Sequence, residues 1–122
     1  MKQLMIIGTD TDVGKTYVSG LILKKLHENG KKAAYFKAAM SGNVHLTDGS
    51  LLPGDADFVK TISGISQPLA DMCPYVYETA VSPHLAAKIE GNPIEWEKIQ
   101  ETYDTLCGTY DFVTVEGSGG IL

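Results

Sequence analysis

The chain has 122 residues, which is the length of one domain. Hydrophobic residues make up 43% of it and charged residues 20%, a globular composition. The net charge is −5 and all ten cationic residues are lysines, so the arginine contacts that read guanine are excluded and no nucleic-acid partner is expected. No run of about 18 apolar residues is present, so no membrane association is expected.

The charge is distributed unevenly along the chain. Residues 1–60 carry eight lysines against six acidic residues, whereas residues 61–122 carry two lysines against nine. A positive half within an acidic protein favours a small anionic ligand, although an ordinary solvated surface also accounts for lysines near helix ends. The two cysteines, Cys73 and Cys107, lack metal-like spacing and are expected to be thiols in a reducing cytoplasm.

The first predicted element is a buried parallel strand over residues 4–8, which form a continuous apolar run. A helix is predicted from Gly14 to His27. Its apolar face is expected to consist of four residues, Val18, Leu21, Ile22 and Leu26. A second short buried strand is predicted over residues 33–36. The glycine and proline content of residues 42–54 predicts a long loop there.

The second half of the chain is predicted to begin with a helix over residues 55–62. Ser82, followed by Pro83, predicts an N-capped helix that runs to Ile89. Glu95 is expected to complete a capping box at the start of the next helix. The apolar residues of that helix are spaced to form one core-facing stripe, made of Trp96, Ile99, Tyr103 and Leu106.

The third buried strand is predicted over residues 112–115 and runs into a carboxylate and a glycine-rich turn. Strands that alternate with helices indicate the α/β class, with a parallel sheet flanked by helices. Only three strands are predicted, and no element is predicted to cover the last one. Residues 1–122 are therefore expected to form a single domain that is incomplete at its C-terminus.

A phosphate-binding loop is predicted where the first strand meets the first helix. The segment Gly8-Thr9-Asp10-Thr11-Asp12-Val13-Gly14-Lys15-Thr16 ends in a G-K-T sequence, whose backbone N–H groups and helix dipole bind phosphates. Lys15 is expected to reach the terminal phosphates, and the hydroxyl of Thr16 to bind Mg²⁺. The gap between Gly8 and Gly14 is one residue longer than usual, but the strand–loop–helix context supports the motif.

Other charged residues are expected at the same edge of the sheet. Glu116 ends an apolar strand and is expected to face a metal near Thr16, because the carboxyl ends of parallel strands share one edge; the alternative is an acid at a turn. Lys37 ends the second strand and is expected to neutralise an anionic substrate, unless it is a solvated charge. Asp55 or Asp57 is either a second carboxylate for Mg²⁺ or a favourable charge at a helix N-terminus.

A series of segments resembles the dethiobiotin synthetase family in order and spacing: G-T-D-T-D-V-G-K-T, F-K-A-A-M-S-G, G-D-A-D, A-V-S-P-H-L-A-A and V-E-G-S-G-G. The resemblance spans nearly the whole chain and includes the longer gap in the phosphate loop. It implies a P-loop NTPase-like fold and a cytoplasmic, homodimeric cyclo-ligase of biotin biosynthesis. Such an enzyme joins CO₂ to 7,8-diaminononanoate with Mg-ATP, through a carbamate and a carbamic–phosphoric anhydride.

The same resemblance implies roles for individual residues. Lys37 and Lys15 would be the catalytic lysines. Thr11 and Ser41 would bind the diamine together with Lys37. Mg²⁺ would be held by Thr16, Asp55 and Glu116, where Asp55 fits the family pattern better than Asp57. The residues implied to bind ATP are Asp12, Val13, Gly14, Lys15, Thr16, Tyr17, Asp55, Glu116, Gly117, Ser118 and Gly119.

Three other functions are compatible with a phosphate loop. A partitioning-type P-loop ATPase carries a second lysine five residues before the P-loop lysine, where this chain has Asp10. A cobyrinic-acid-type amidotransferase has a similar N-terminal domain but also needs a glutaminase domain outside this chain. A non-catalytic nucleotide-binding module would not be expected to retain Lys15, Lys37 and Glu116 together.

Overall fold

The computed structural model describes residues 2–6 and 12–117 as strands, helices and their connections; side chains are described for residues 16–117. The elements are β1 (Lys2–Ile6), α1 (Asp12–Glu28), β2 (Ala33–Phe36), β3 (Ala39–Met40), β4 (Val44–His45), β5 (Leu51–Leu52), α2 (Gly54–Ser63), α3 (Leu69–Met72), β6 (Tyr75–Val76), α4 (Pro83–Glu90), α5 (Trp96–Thr109) and β7 (Phe112–Glu116). Within this part of the chain, none of the helices has the length and apolar character needed to cross a membrane. The expected α/β class is confirmed.

The predicted main strands lie close to the observed ones. β2 covers the predicted residues 33–36, and β7 extends the predicted strand to Glu116. β1 begins at Lys2, earlier than predicted, and residues 7 and 8 of the predicted strand lie outside the described residues. The continuous apolar runs therefore predicted the positions of the three main strands, but they did not predict where β1 begins.

The main sheet is parallel and has the strand order β1-β7-β2. Ile6 lies opposite Glu116, and Phe36 lies opposite Val115. The expectation that the last strand is uncovered is wrong. β7 is the central strand, because a buried strand needs hydrogen-bond partners for its backbone on both edges. The carboxyl ends of the three strands consequently meet at one edge of the sheet.

The two faces of the sheet carry separate apolar clusters. On one face, Phe36 and Val115 pack with residues of α4 and α5. On the other face, Tyr35 packs with Leu23 of α1 and with residues of α2 and α3. Because successive residues of a strand point to opposite faces, Glu116 lies on the same face as Tyr35, next to α1.

Helix α1 begins at Asp12, slightly before the prediction, and turns a different face to the sheet. Val18 and Leu21 are 47% and 41% exposed, whereas Thr16 and Ser19 are buried. The predicted apolar face is therefore wrong at Val18 and Leu21. The reason is that the hydroxyls of Thr16 and Ser19 are hydrogen-bonded to a buried carboxylate, so that polar residues occupy the buried side of the helix near its N-terminus.

The segment predicted as a long loop contains an antiparallel hairpin, so that prediction is wrong. β4 pairs with β5, with Val44 opposite Leu52. In the turn, Gly49 has a φ of 90°, and Oδ1 of Asp48 accepts a hydrogen bond from the backbone N–H of Ser50 at 3.0 Å. Strands of two residues are too short to give an alternating pattern, and the same reason explains why β3, β6 and the four-residue α3 were not predicted.

The later helices agree with the prediction in part. Ser82 caps α4 through its side chain, and Pro83 is its first residue, as predicted. The capping box at Glu95 is wrong, because Glu95 is itself the N-cap of α5 and its side chain makes no capping hydrogen bond. Leu106 is buried, but Trp96 is 55% exposed. The predicted core-facing stripe therefore applies to the inner turns of α5 and not to its first residue.

Candidate functional site

The candidate site lies where the carboxyl ends of β1, β7 and β2 meet. Glu116 ends β7, and Lys37 follows β2 directly. The chain leaves β1 at Ile6 and enters α1 at Asp12, and a hydrogen bond from Thr16 to Glu116 fixes the first turns of α1 against this edge. The parallel sheet thus brings the start of α1 and the two predicted charged residues together.

Glu116 is fully buried and accepts hydrogen bonds from three hydroxyl groups. Thr16 donates to its Oε1 atom at 3.0 Å. Ser19 and Tyr35 donate to its Oε2 atom at 3.3 Å and 2.8 Å. A buried carboxylate is costly unless its oxygens are paired, and these hydroxyls, together with Lys37, supply that pairing.

Among the described side chains of the site, Lys37 carries the positive charge, and it is 5% exposed. Its Nζ atom lies 2.7 Å from Oδ2 of Asp55 and 3.5 Å from Oε1 of Glu116. Its backbone N–H donates to the carbonyl oxygen of Met72 at 2.8 Å, which fixes the chain where β2 ends. Among the described side chains, Lys37 faces two carboxylates, so a further cation near them would be electrostatically favourable.

Asp55 is held at the start of α2 by the buried side chain of Asn43. Oδ1 of Asn43 accepts a hydrogen bond from the backbone N–H of Gly54 at 3.1 Å. Nδ2 of Asn43 donates to the carbonyl oxygens of Met40 and Tyr77 at 3.1 Å and 2.9 Å. Asn43 thus satisfies one of the N–H groups that a helix start leaves unpaired, and it fixes the position from which Asp55 reaches Lys37.

The oxygen atoms of the site fit a hard divalent cation. The three residues expected to hold Mg²⁺ are brought together: Thr16 contacts Glu116 directly, and Lys37 bridges Asp55 and Glu116. Among the residues the structure describes, no group of three or more His, Cys, Asp or Glu side chains could hold a metal ion. Two carboxylates and one hydroxyl suit Mg²⁺, which takes few protein ligands and completes its shell with water and phosphate oxygens.

Two further expected residues have contacts of their own. Ser41, expected to bind substrate, is half-buried, and its hydroxyl donates to the carbonyl oxygen of Val81. Tyr17, expected to bind ATP, is 49% exposed, and its ring centroid lies 6.4 Å from that of Phe58 on α2. Tyr17 therefore forms part of the outer surface of α1 and α2.

The phosphate loop is described only at its helical end. Four expected ATP-binding residues form the first turn of α1 and have no described side chains: Asp12, Val13, Gly14 and Lys15. Gly117 follows β7 directly and is half-buried. Three expected residues lie outside the described residues: Thr11, Ser118 and Gly119.

Ser19, Tyr35 and Asn43 belong to the site but were missed by the sequence patterns. A signal for two of them was present. Ser19 follows Thr16 by three residues on a helix and so shares its face, and Tyr35 precedes Lys37 by two residues in an extended segment and so shares its face. Asn43 lies in a connection with no periodic pattern, so no comparable signal pointed to it.

The buried environment keeps two neighbouring groups neutral. Burial, and then the charge and hydrogen bond of Glu116, raise the pKa of Tyr35 well above its ordinary value of 10.0. Tyr35 therefore acts as a hydroxyl donor at neutral pH. Burial likewise raises the pKa of Cys73 to about 12, so its thiol is not activated as a nucleophile.

A parallel sheet whose first strand leads to a helix with G-K-T near its start, and a buried carboxylate at the end of the neighbouring strand, define the P-loop class of α/β domains. A family model described as an AAA domain matches residues 2–122. The chain belongs to this family.

Curated relatives from clostridia match the chain along its length. It is 50% identical over 119 residues to an ATP-dependent dethiobiotin synthetase of Clostridium novyi (strain NT), which covers 98% of this chain and 50% of the relative. It is 47% identical over 121 residues to a protein of the same name from Clostridium perfringens (strain 13 / Type A), covering 99% and 53%. The corresponding protein of Clostridium acetobutylicum is 44% identical over 122 residues, covering 100% and 50%. The chain spans about half the length of these relatives.

Proposed function

We propose that this chain is the nucleotide-binding part of an ATP-dependent dethiobiotin synthetase, which carboxylates 7,8-diaminononanoate with CO₂ and closes the ureido ring of dethiobiotin. The observation that carries the proposal is the buried cluster in which Lys37 lies 2.7 Å from Asp55 and 3.5 Å from Glu116. The names of the clostridial relatives support the same assignment. Residues 1–122 are proposed to act as one P-loop nucleotide-binding domain.

Nucleotide binding is assigned to the N-terminal end of α1. Lys15 and the backbone N–H groups of residues 12–17 are assigned to the triphosphate, and residues 117–119 are assigned to ATP as well. Mg²⁺ fits the oxygen atoms of Thr16, Asp55 and Glu116. When bound, it supplies neutralisation of the charge on the phosphate oxygens.

The proposed reaction depends on positioning and charge neutralisation more than on covalent chemistry by the protein. One amine of the diamine attacks CO₂ and loses a proton, which gives a carbamate. A carbamate oxygen then attacks the γ-phosphorus of ATP, and ADP leaves. The second amine attacks the carbonyl carbon of the resulting carbamic–phosphoric anhydride, closes the ring, and expels phosphate.

Lys37 is assigned the central role in these steps. Lys37 follows β2 at the edge of the sheet where α1 begins, and its ammonium group is assigned to neutralise the charge of the carbamate and of the anhydride. Within residues 1–122, which contain no arginine, this neutralisation is assigned to Lys37 and Lys15, with Mg²⁺ and backbone N–H groups. Ser41 and Thr11 are assigned to the diamine. The enzyme is proposed to work as a cytoplasmic homodimer, as the family resemblance implies.

The test is phosphate release by the full-length protein with and without 7,8-diaminononanoate, in bicarbonate buffer with Mg²⁺ and ATP. The proposal expects release only when the diamine is present. ATP hydrolysis that is indifferent to the diamine would instead favour a related P-loop ATPase.

A further inference from the structure

The two oxygen atoms of Glu116 have different kinds of partner. Oε2 accepts hydrogen bonds from Ser19 at 3.3 Å and from Tyr35 at 2.8 Å. Oε1 accepts from Thr16 at 3.0 Å and lies 3.5 Å from Nζ of Lys37. Oε2 therefore faces two hydroxyl donors from the interior of the fold, whereas Oε1 faces the two residues that the sequence assigns to nucleotide chemistry.

The backbone of Tyr35 is fixed by the side chain of Gln67, which hydrogen-bonds to it as a neighbouring strand would. The backbone N–H of Tyr35 donates to Oε1 of Gln67 at 2.8 Å, and Nε2 of Gln67 donates to the carbonyl oxygen of Tyr35 at 3.0 Å. Gln67 is 1% exposed and Tyr35 is fully buried. The paired amide completes the backbone hydrogen bonding of β2 at this residue, so the Tyr35 hydroxyl approaches Glu116 from a fixed backbone.

Ser19 donates to the same oxygen of Glu116 from helix α1. It is fully buried on α1, one turn after Thr16. The helix thus presents two hydroxyls on one face, one to each oxygen of Glu116. With donors from a helix and a strand on Oε2, rotation of the carboxylate would break two hydrogen bonds in a buried environment, where each is expensive to lose.

We propose that Tyr35 and Ser19 are positioning residues that hold Glu116 by Oε2, so that Oε1 remains directed at the nucleotide and metal side of the site. This inference rests on the proposed function, because it assumes that Glu116 acts on a metal–nucleotide complex. Tyr35 and Ser19 do not touch the reacting atoms; they act through Glu116. Side chains that orient a metal ligand in this way commonly change metal affinity when removed.

The experiment measures Mn²⁺ binding, by electron paramagnetic resonance of the free ion, to full-length protein saturated with a non-hydrolysable ATP analogue. Tyr35→Phe and Ser19→Ala each remove one hydroxyl, and either is expected to weaken Mn²⁺ binding about 10-fold. Affinity for the analogue without metal is expected to stay within about 2-fold of wild type. The control is Tyr110→Phe, which removes a half-buried hydroxyl on the opposite face of the sheet and should leave Mn²⁺ binding unchanged.

The outcomes separate this inference from the proposed function. Variants that unfold more readily but bind Mn²⁺ like wild type would show that the hydroxyls only stabilise a buried carboxylate, and would overturn the inference. If Tyr35→Phe does not fold, Ser19→Ala makes the same prediction through the same oxygen. A wild-type protein that binds Mn²⁺ with the analogue but makes no ureido product would overturn the proposed function, and weaker Mn²⁺ binding by the variants would still support the positioning role.

Discussion

The ammonium group of Lys37 lies 2.7 Å from Oδ2 of Asp55, and the two side chains are only 6% and 23% exposed. Lys37 follows the edge strand β2, and Asp55 stands in the first turn of α2. Their contact holds the segment between them, which contains the β4–β5 hairpin, at the carboxyl edge of the sheet. Loss of Lys37 would remove the cation that pairs with both Asp55 and Glu116, at a cost of about 3–5 kcal/mol, whereas loss of Asp55 would leave Lys37 next to Glu116 at 3.5 Å.

Replacement of Lys37 by methionine tests whether its charge acts on the reaction. We expect turnover of the full-length protein to fall by about 100-fold or more, because a charge aimed at a developing anion is lost. Affinity for ATP should change little, since that binding is proposed to rest on Lys15 and the α1 backbone. Steady-state kinetics and a nucleotide-binding titration measure the two effects. The matched control is Lys31→Met, at an exposed lysine before β2; a collapse of ATP affinity in Lys37→Met alone would make Lys37 a phosphate-binding residue instead.

Asp55→Asn and Asp57→Asn distinguish the two acidic residues at the start of α2. Asp55 contacts Lys37 at 2.7 Å, whereas the backbone N–H of Asp57 donates to the carbonyl oxygen of Pro53 at 2.8 Å as part of the first helical turn. We expect Asp55→Asn to raise the Mg²⁺ concentration for half-maximal activity by about 10-fold or more, with Asp57→Asn within about 2-fold of wild type. Equal effects of the two substitutions would contradict the assignment of Asp55.

Gln67→Leu tests the side-chain pairing on β2. The change leaves the buried N–H and C=O of Tyr35 without the two hydrogen bonds at 2.8 Å and 3.0 Å. Each buried unpaired group costs about 1–3 kcal/mol, so we expect the free energy of unfolding to fall by about 2–5 kcal/mol in urea titrations of the full-length protein. Gln100→Ala, at an exposed glutamine bonded to Asp104, should change it by less than about 0.5 kcal/mol. A similar small change in Gln67→Leu would show that the pairing is dispensable.

The hairpin is predicted to respond to pH through His45. The pKa of His45 is raised above its ordinary value of 6.5, first by the hydrogen bond to the carbonyl oxygen of Gly49 and then by Glu78. The pKa of His45 is higher in the folded protein than in the unfolded chain. The stabilisation from its contact with Glu78 is therefore fully present below pH 6.5 and is lost as the pH rises through the raised pKa. An NMR titration of the imidazole should show this raised pKa, with Glu78→Gln moving it back toward the ordinary value. An unchanged titration in Glu78→Gln would rule out the contribution of Glu78.

The sequence predicted the sheet and the charged residues of the site because both have local signals. Apolar runs marked β2 and β7, and Lys37 and Glu116 stand directly at their carboxyl ends. The buried face of α1 was not predictable from hydrophobicity, because Thr16 and Ser19 are buried by their hydrogen bonds to Glu116, which is about one hundred residues away in the chain. Short elements such as the β4–β5 hairpin were missed because two residues carry no periodicity.

The central position of β7 in the sheet could not be predicted from the local sequence either. The sequence of residues 112–116 does not indicate which strands pair with β7. The strand order depends on how α1 and α5 pack across the two faces of the sheet. That order matters for the site, because it places Glu116 between the end of β1 and the end of β2, within reach of both Thr16 and Lys37.

The most direct test of the proposed function is the stoichiometry of the reaction with ¹³C-labelled bicarbonate. Full-length protein would be incubated with Mg²⁺, ATP, 7,8-diaminononanoate and the labelled bicarbonate, and product and phosphate would be measured together by mass spectrometry and a phosphate assay. We predict one ¹³C atom in a cyclic ureido product for each phosphate released, and no phosphate release when the diamine is omitted. Phosphate released without labelled product, or at the same rate without the diamine, would contradict the account.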